Sequence, residues 1–228
     1  MPEYPEFPDN NDPVIWSPAE IADVIQQGLF RKTADFDRDQ AVYGIDALSE
    51  VQLHAVLQNI LSEAGYGVFP EQRYPADRNR RRRSEGERCD IVLTPDSRVL
   101  AVPAAQASLF APADPVCPGD AFWVEVKVVA QFTDEGANHN YSSELMEPVR
   151  RDVRKLAKDK NIHHAAVLLV MHTAGKEVAE HDMGVWLDRC LEKELPVGSP
   201  YMRHIPITDR MGNKLTTIAL YPVLRINE

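Results

Sequence analysis

Apolar positions along the chain recur with two periods, one helical and one extended, and these lay out the elements. Ser17-Pro18-Ala19-Glu20 is a capping box with proline at the first helical position, which predicts a helix running to about Lys32. Leu48, Val51, Ala55, Leu57 and Leu61 recur near helical spacing and predict a second helix over 47–64, ended by Gly65. Tyr66 to Tyr74 reads as a strand. Arg88-Cys89-Asp90-Ile91-Val92-Leu93 is a second β run, closed by Thr94 and Pro95. A third starts at Phe122-Trp123-Val124-Glu125-Val126-Lys127-Val128-Val129 and extends to about Phe132. Val149, Val153 and Leu156 form the stripe of a helix over about 148–160, and 164–171 reads as a buried strand. Val185, Trp186, Leu187 and Leu191 point inward from a helix over 179–195. Strands over 201–208 and 215–224 close the pattern, as a hairpin turning near Met211-Gly212-Asn213.

Helices alternating with strands in this order predict an α/β or α+β sandwich, a mixed sheet with helices on two faces. With 44% hydrophobic residues among 228, residues 17–228 can bury the core of a single domain. Residues 1–16, acidic and Pro-rich at their start, read as a flexible tail. The longest apolar stretch, Ala165 to Met171, is too short to span a bilayer, and the first residues carry neither a positive leader nor an apolar h-region. A cytoplasmic protein without a membrane partner is the expectation. Cys89, Cys117 and Cys190 are too scattered for a disulfide framework or a zinc cluster. His163, His164, His172 and His181 lack ligand spacing, and no phosphate-cradling Gly-Lys-Ser/Thr loop is present.

Two charges in the third strand need an explanation. Side chains alternate along a strand, so Glu125 and Lys127 emerge on one face together with Trp123 and Val129. An isolated Glu-x-Lys is most often a solvated surface pair, but Trp123 and Val129 on the same face argue against a wholly wet one. Burying the pair costs several kcal/mol per charge unless a partner or a metal compensates. If the strand of Asp90 pairs with that of Glu125 as a hairpin, two carboxylates and one ammonium meet. Such oxygen donors suit Mg²⁺ or Mn²⁺, and the whole set suits phosphodiester hydrolysis.

The net charge of −10 argues against a nucleic-acid coat protein, but the basic residues are bunched. Arg78, Arg80, Arg81, Arg82, Arg83 and Arg88 crowd in just before Asp90, and Arg150, Arg151, Arg154, Lys155 and Lys158 follow Lys127. Each group reads either as an ordinary solvated face or as a grip on phosphates in one groove.

The order of elements, with Glu50 in the first core helix, Asp90 on the second strand and Glu125-x-Lys127 on the third, resembles the PD-(D/E)xK, or restriction-endonuclease-like, nuclease superfamily over roughly residues 46–171. The resemblance implies a core of order αβββαβ with an extra C-terminal helix and strands. It implies that Asp90, Glu125 and the carbonyl of Val126 ligate Mg²⁺ (or Mn²⁺). Lys127 would position the attacking water and help it lose a proton, and Glu50 would add a carboxylate, with Glu71 a rival for that task. Arg80 to Arg83, Gln131, Arg151, Arg154 and Lys155 would contact DNA.

Cys89 stands where the motif has proline, a position that makes no ligand bond, and the interval from Asp90 to Glu125 is longer than is common. Asp96 and Asp120 are the alternatives to Asp90; the first sits in a turn and the second lies too near Glu125 to reach a neighbouring strand. The expected activity is metal-dependent endonucleolytic cleavage of DNA in restriction, repair or defence, with a homodimer or successive nicks needed to cut both strands. The alternative is a catalytically inactive nucleic-acid-binding or scaffold module of the same fold.

Overall fold

Serine caps set the frame. In the computed structural model, which describes residues 14–77, 87–101 and 114–225, Ser17 Oγ accepts from Glu20 N–H and opens α1 (Pro18–Arg38). Ser49 and Gln52 form a reciprocal capping box that starts α2 (Glu50–Glu63). The helix starts three residues after the expected residue 47, and Leu57 and Leu61 of the expected stripe face inward. Leu53, Leu57, Ile60 and Leu61 are buried, whereas Val51 is exposed. The N-terminal tail up to residue 13, the arginine run 80–83 and the Pro-rich stretch 102–113 lie outside the described residues.

The strands are β1 (Gly67–Arg73), β2 (Arg88–Thr94), β3 (Phe122–Ala130), the short pair β4 (Phe132–Thr133) and β5 (Gly136–Ala137), β6 (His164–Thr173), β7 (Tyr201–Pro206) and β8 (Leu215–Pro222). Between them fall α3 (Tyr141–Lys158) and α4 (Lys176–Leu191). Six strands form one mixed sheet in the order β1-β2-β3-β6-β8-β7. β1, β2 and β3 run as an antiparallel meander, β3 and β6 are parallel with α3 as the crossover, and β7 and β8 form the expected antiparallel hairpin.

The sheet is buried on both sides, giving an α+β architecture with helices on two faces. Ile21, Ile25 and Leu29 of α1 and the stripe of α2 pack with Ile91, Leu93, Phe122, Val124 and Val126. Val149, Val153 and Leu156 of α3 and Met183 and Trp186 of α4 pack on the opposite face with Trp123, Val129, Val167 and Leu169. In α4 the inward positions are Ala179, Met183, Trp186 and Cys190, while Leu191, expected inside, is exposed. Central β6 is covered on both faces, which explains why its sequence is a continuous apolar run rather than an alternation.

Two differences from expectation bear on the site. α3 begins at Tyr141, seven residues before the expected start, and carries Pro148 inside it. Proline lacks an N–H and reads as a helix start, but one missing bond is offset where the flanking turns are packed through Leu145 and Val149. β3 ends at Ala130, so the alternation carried to Gln131 stops one residue short.

Candidate functional site

β2 and β3 pair in register from Leu93↔Phe122 to Ile91↔Val124, and there the ladder stops. One step further would place Asp90 opposite Glu125. Instead, Asp90 Oδ2 accepts the Val126 N–H at 2.7 Å, a carboxylate taking the place of a strand carbonyl. The N–H and C=O of one strand residue point to the same side, so the Val126 carbonyl also faces the Asp90 edge.

Glu125 and Lys127 share the α3 face, as the alternation predicts, but they differ in depth. Glu125 is 2% exposed, and the Lys127 side chain is 19% exposed. The Tyr74 hydroxyl, from the residue following β1, donates to Glu125 Oε1, and its ring stacks on Trp123 with centroids 5.8 Å apart. Lys127 Nζ donates to Glu50 Oε1 at 3.0 Å and lies 3.7 Å from Asp152 Oδ2. Glu50 is the first residue of α2, a helix of the other face, and it meets Lys127 where β3 runs on past the last pair with β2. Asp90, Glu125, Lys127 and Glu50, distant in the chain, therefore form one linked group.

Two members of the group were not anticipated. Asp152, 1% exposed, occupies a core position of α3, in step with Leu145, Val149 and Leu156. Lys155, expected as a phosphate contact on the outer face, turns inward, 3.0 Å from Asp152 Oδ1 and 3.8 Å from Glu125 Oε1. The legible signal was a carboxylate in the apolar stripe of an otherwise basic helix. Arg150, counted with the basic face, is buried and reaches Glu147 and the Met146 carbonyl. Arg151 and Arg154 are exposed.

Gln131 does not line the group. It lies past the end of β3, and its side-chain oxygen accepts the Ala174 N–H at 3.0 Å, tying the ends of β3 and β6 together. Glu71, the rival to Glu50, is exposed on β1 with a positive φ of 53°, and its carbonyl accepts from Arg88. Asp96 sits in a turn with φ 51°, and Asp120 is 3.7 Å from His163, so neither replaces Asp90.

Electrostatics follow from this crowding. Burial, then the charges of Asp90 and Asp152, raise the Glu125 pKa to about 8. Burial works against the Lys127 ammonium, but Asp152 and Glu50 outweigh it and hold its pKa above the ordinary lysine value. Lys155 behaves likewise, burial being outweighed by Glu125 and Asp152. Lys127 is thus a cation at neutral pH, able to donate and orient but not to accept a proton.

Among the described residues no group of three or more His, Cys, Asp or Glu forms a ready-made metal cage. Yet Glu50, Asp90, Glu125 and Asp152 against Lys127 and Lys155 carry a formal charge of −2 when all are ionised. Asp152 Oδ2 is buried without a hydrogen-bond donor. A divalent cation fits that imbalance; Asp90, Glu125 and the Val126 carbonyl would hold it, with water completing its shell. Beside Glu50 a cleft of about 800 Å³ opens between the α2 start and the β4–β5 hairpin. Comparison with protein-family models, with curated proteins and with solved structures gives no match.

Proposed function

We propose that the protein is a metal-dependent nuclease of the PD-(D/E)xK type that hydrolyses DNA phosphodiester bonds endonucleolytically. The observation that carries this reading is the convergence of Asp90, Glu125 and Lys127 at the point where β2 leaves β3, with Glu50 arriving from the opposite face. A sheet of order αβββαβ, extended by α4, β7 and β8, agrees with the restriction-endonuclease-like core.

A divalent cation, Mg²⁺ or Mn²⁺, would polarise a phosphate oxygen and acidify a water when bound between Asp90 and Glu125. Lys127, kept protonated, donates to the attacking water and fixes its line of approach. Glu50 and Asp152 hold Lys127 in place. Tyr74 orients Glu125 by its hydroxyl. Exposed Arg151 and Arg154 on α3 would contact flanking phosphates.

The test is nicking of supercoiled plasmid with Mg²⁺ or Mn²⁺. Lys127→Ala and Asp90→Asn are each expected to lower the rate at least about a hundredfold with folding intact. Cleavage unchanged in both variants would remove the mechanism.

A second reading, a non-catalytic nucleic-acid-binding or scaffold module of this fold, is favoured by one observation. Lys155 already partners Glu125 and Asp152, so the carboxylates are partly neutralised without an ion. Metal titration separates the two: a scaffold leaves Asp90 and Glu125 without cation uptake, and DNA uncut.

A further inference from the structure

The 800 Å³ cleft beside Glu50 has a composition that the nuclease reading does not use. Its wall carries the carboxylates of Asp46, Glu50, Asp134, Glu135 and Glu144, and none of the described residues lining it is lysine or arginine. Glu50 is spent on Lys127, and Glu144 accepts from Asn138. Phosphate would be repelled here; a cation would be attracted.

Two side chains show that the cleft is more than an acidic surface. Asp46 is 6% exposed, and Asn213, itself fully buried, holds it by donating to Oδ2 at 3.0 Å. Asn213 is fixed in turn by the backbone of Phe132, through its N–H at 3.2 Å and its carbonyl at 2.9 Å. The other Asp46 oxygen, Oδ1, is buried with no donor. Arg210, whose guanidinium comes near Gly44 beside that oxygen, is engaged by Asp37 at 2.7 Å and the Ala41 carbonyl at 3.0 Å. His172, 1% exposed, lines the same cleft. Its Nδ1 pairs with Thr216 Oγ1 at 2.9 Å, and its Nε2 has no partner. Burial lowers its pKa to about 4, so the ring is neutral and opposes no incoming positive charge. Tyr43, half-exposed on the wall, offers an aromatic face of the kind that cations favour.

Buried polar atoms without partners cost free energy unless something donates to them. We infer that this cleft is a binding site for a small organic amine, an aliphatic polyamine, whose ammonium groups donate to the unpartnered Asp46 oxygen and to His172 while its methylenes lie along Leu48 and Val128. This site is independent of the nuclease reading: it would hold if the Lys127 group cleaved nothing.

The experiment is calorimetric titration of the full chain with spermine, in moderate salt and with a chelator present. Wild type should show saturable one-site binding. Asp46→Asn should weaken it at least about tenfold, the loss expected for a buried charge-assisted contact. Glu144→Gln, on the wall of the cleft, should weaken it less. Glu192→Gln, exposed at the end of α4, should leave it unchanged. Thermal unfolding of each variant verifies folding, and should Asp46→Asn not fold, Glu144→Gln against Glu192→Gln decides. Binding that is absent, that does not saturate, or that falls equally in Glu192→Gln and the cleft variants would overturn the assignment, since it would report only the overall negative charge.

Discussion

Asp152 and Lys155 lie one helical turn apart on α3 and meet at 3.0 Å, with the Lys155 ammonium also leaning to within 3.8 Å of Glu125. One cation thus serves two buried carboxylates that would otherwise repel each other. The arrangement explains how an apolar stripe tolerates an aspartate, and it leaves the site with a counter-charge that a metal ion would supplement or displace.

Lys155→Met removes that counter-charge and keeps most of the packing. We expect the metal-free protein to lose on the order of 1–3 kcal/mol, below the cost for a fully buried pair because Lys155 is partly solvated. Urea unfolding with and without Mg²⁺ checks this. Magnesium should restore more stability to Lys155→Met than to wild type, and an equal response in both would argue against a cation at this group.

Glu125 sets a pH dependence. Its pKa is near 4.5 in the unfolded chain and is raised to about 8 in the folded one, so between these values the folded state holds more protons. Its contribution is complete below about pH 4.5 and is lost as the pH rises through 8. Glu125→Gln should therefore raise the melting temperature of the metal-free protein at pH 8, by about 3 °C or more, and change it little at pH 4.5. Melting curves across this range are the measurement.

His172 acts at the other end. With its pKa lowered to about 4 by burial, the unfolded chain takes up a proton between roughly pH 6.5 and 4 and the folded one does not. Stability should fall as the pH drops through that window. His172→Gln should flatten this limb, and an unaltered acid limb would locate the loss elsewhere.

Glu50 positions Lys127 and touches no other member of the group. Glu50→Gln leaves Asp152, 3.7 Å away, as the remaining carboxylate on Lys127. Nicking should fall roughly tenfold, far less than for Lys127→Ala, because the ammonium is kept and only its aim is loosened. Equal losses in both variants would make Glu50 a direct participant.

Two glycines test the packing that frames the site. A methyl group on Gly67 would come within 2.1 Å of Thr94 Oγ1 and 2.6 Å of the Arg98 carbonyl, which is backbone and cannot step aside. On Gly28 its nearest contacts would be with the Ile60 side chain, from 2.4 Å, where α1 crosses α2. Gly67→Ala should cost more stability than Gly28→Ala, both in the range of roughly 1–3 kcal/mol or above, as denaturant unfolding would show.

Much of this was legible along the chain because the signals were local. β-type runs marked β2, β3 and β6, the Ser17 cap marked α1, and apolar spacing ended by Gly65 marked α2. Alternation put Glu125 and Lys127 on one face, with Trp123 and Val129 as expected. What escaped depended on tertiary packing. Pro148 masked the start of α3, since its missing N–H cannot be told from a helix beginning until Leu145 is seen buried. Asp152 was passed over, and Lys155 read as a member of the basic face, because helical spacing alone does not say which stripe meets the sheet. Gln131 was misplaced by carrying the strand and its alternation on to about Phe132, past the end of β3 at Ala130.

The Glu50–Lys127 contact joins layers that the sheet otherwise keeps apart: Glu50 comes from the side of α1 and α2, Lys127 from the side of α3 and α4. The contact exists only where the start of α2 sits over the end of β3, so its presence reports that this helix is seated on the sheet in its proper register.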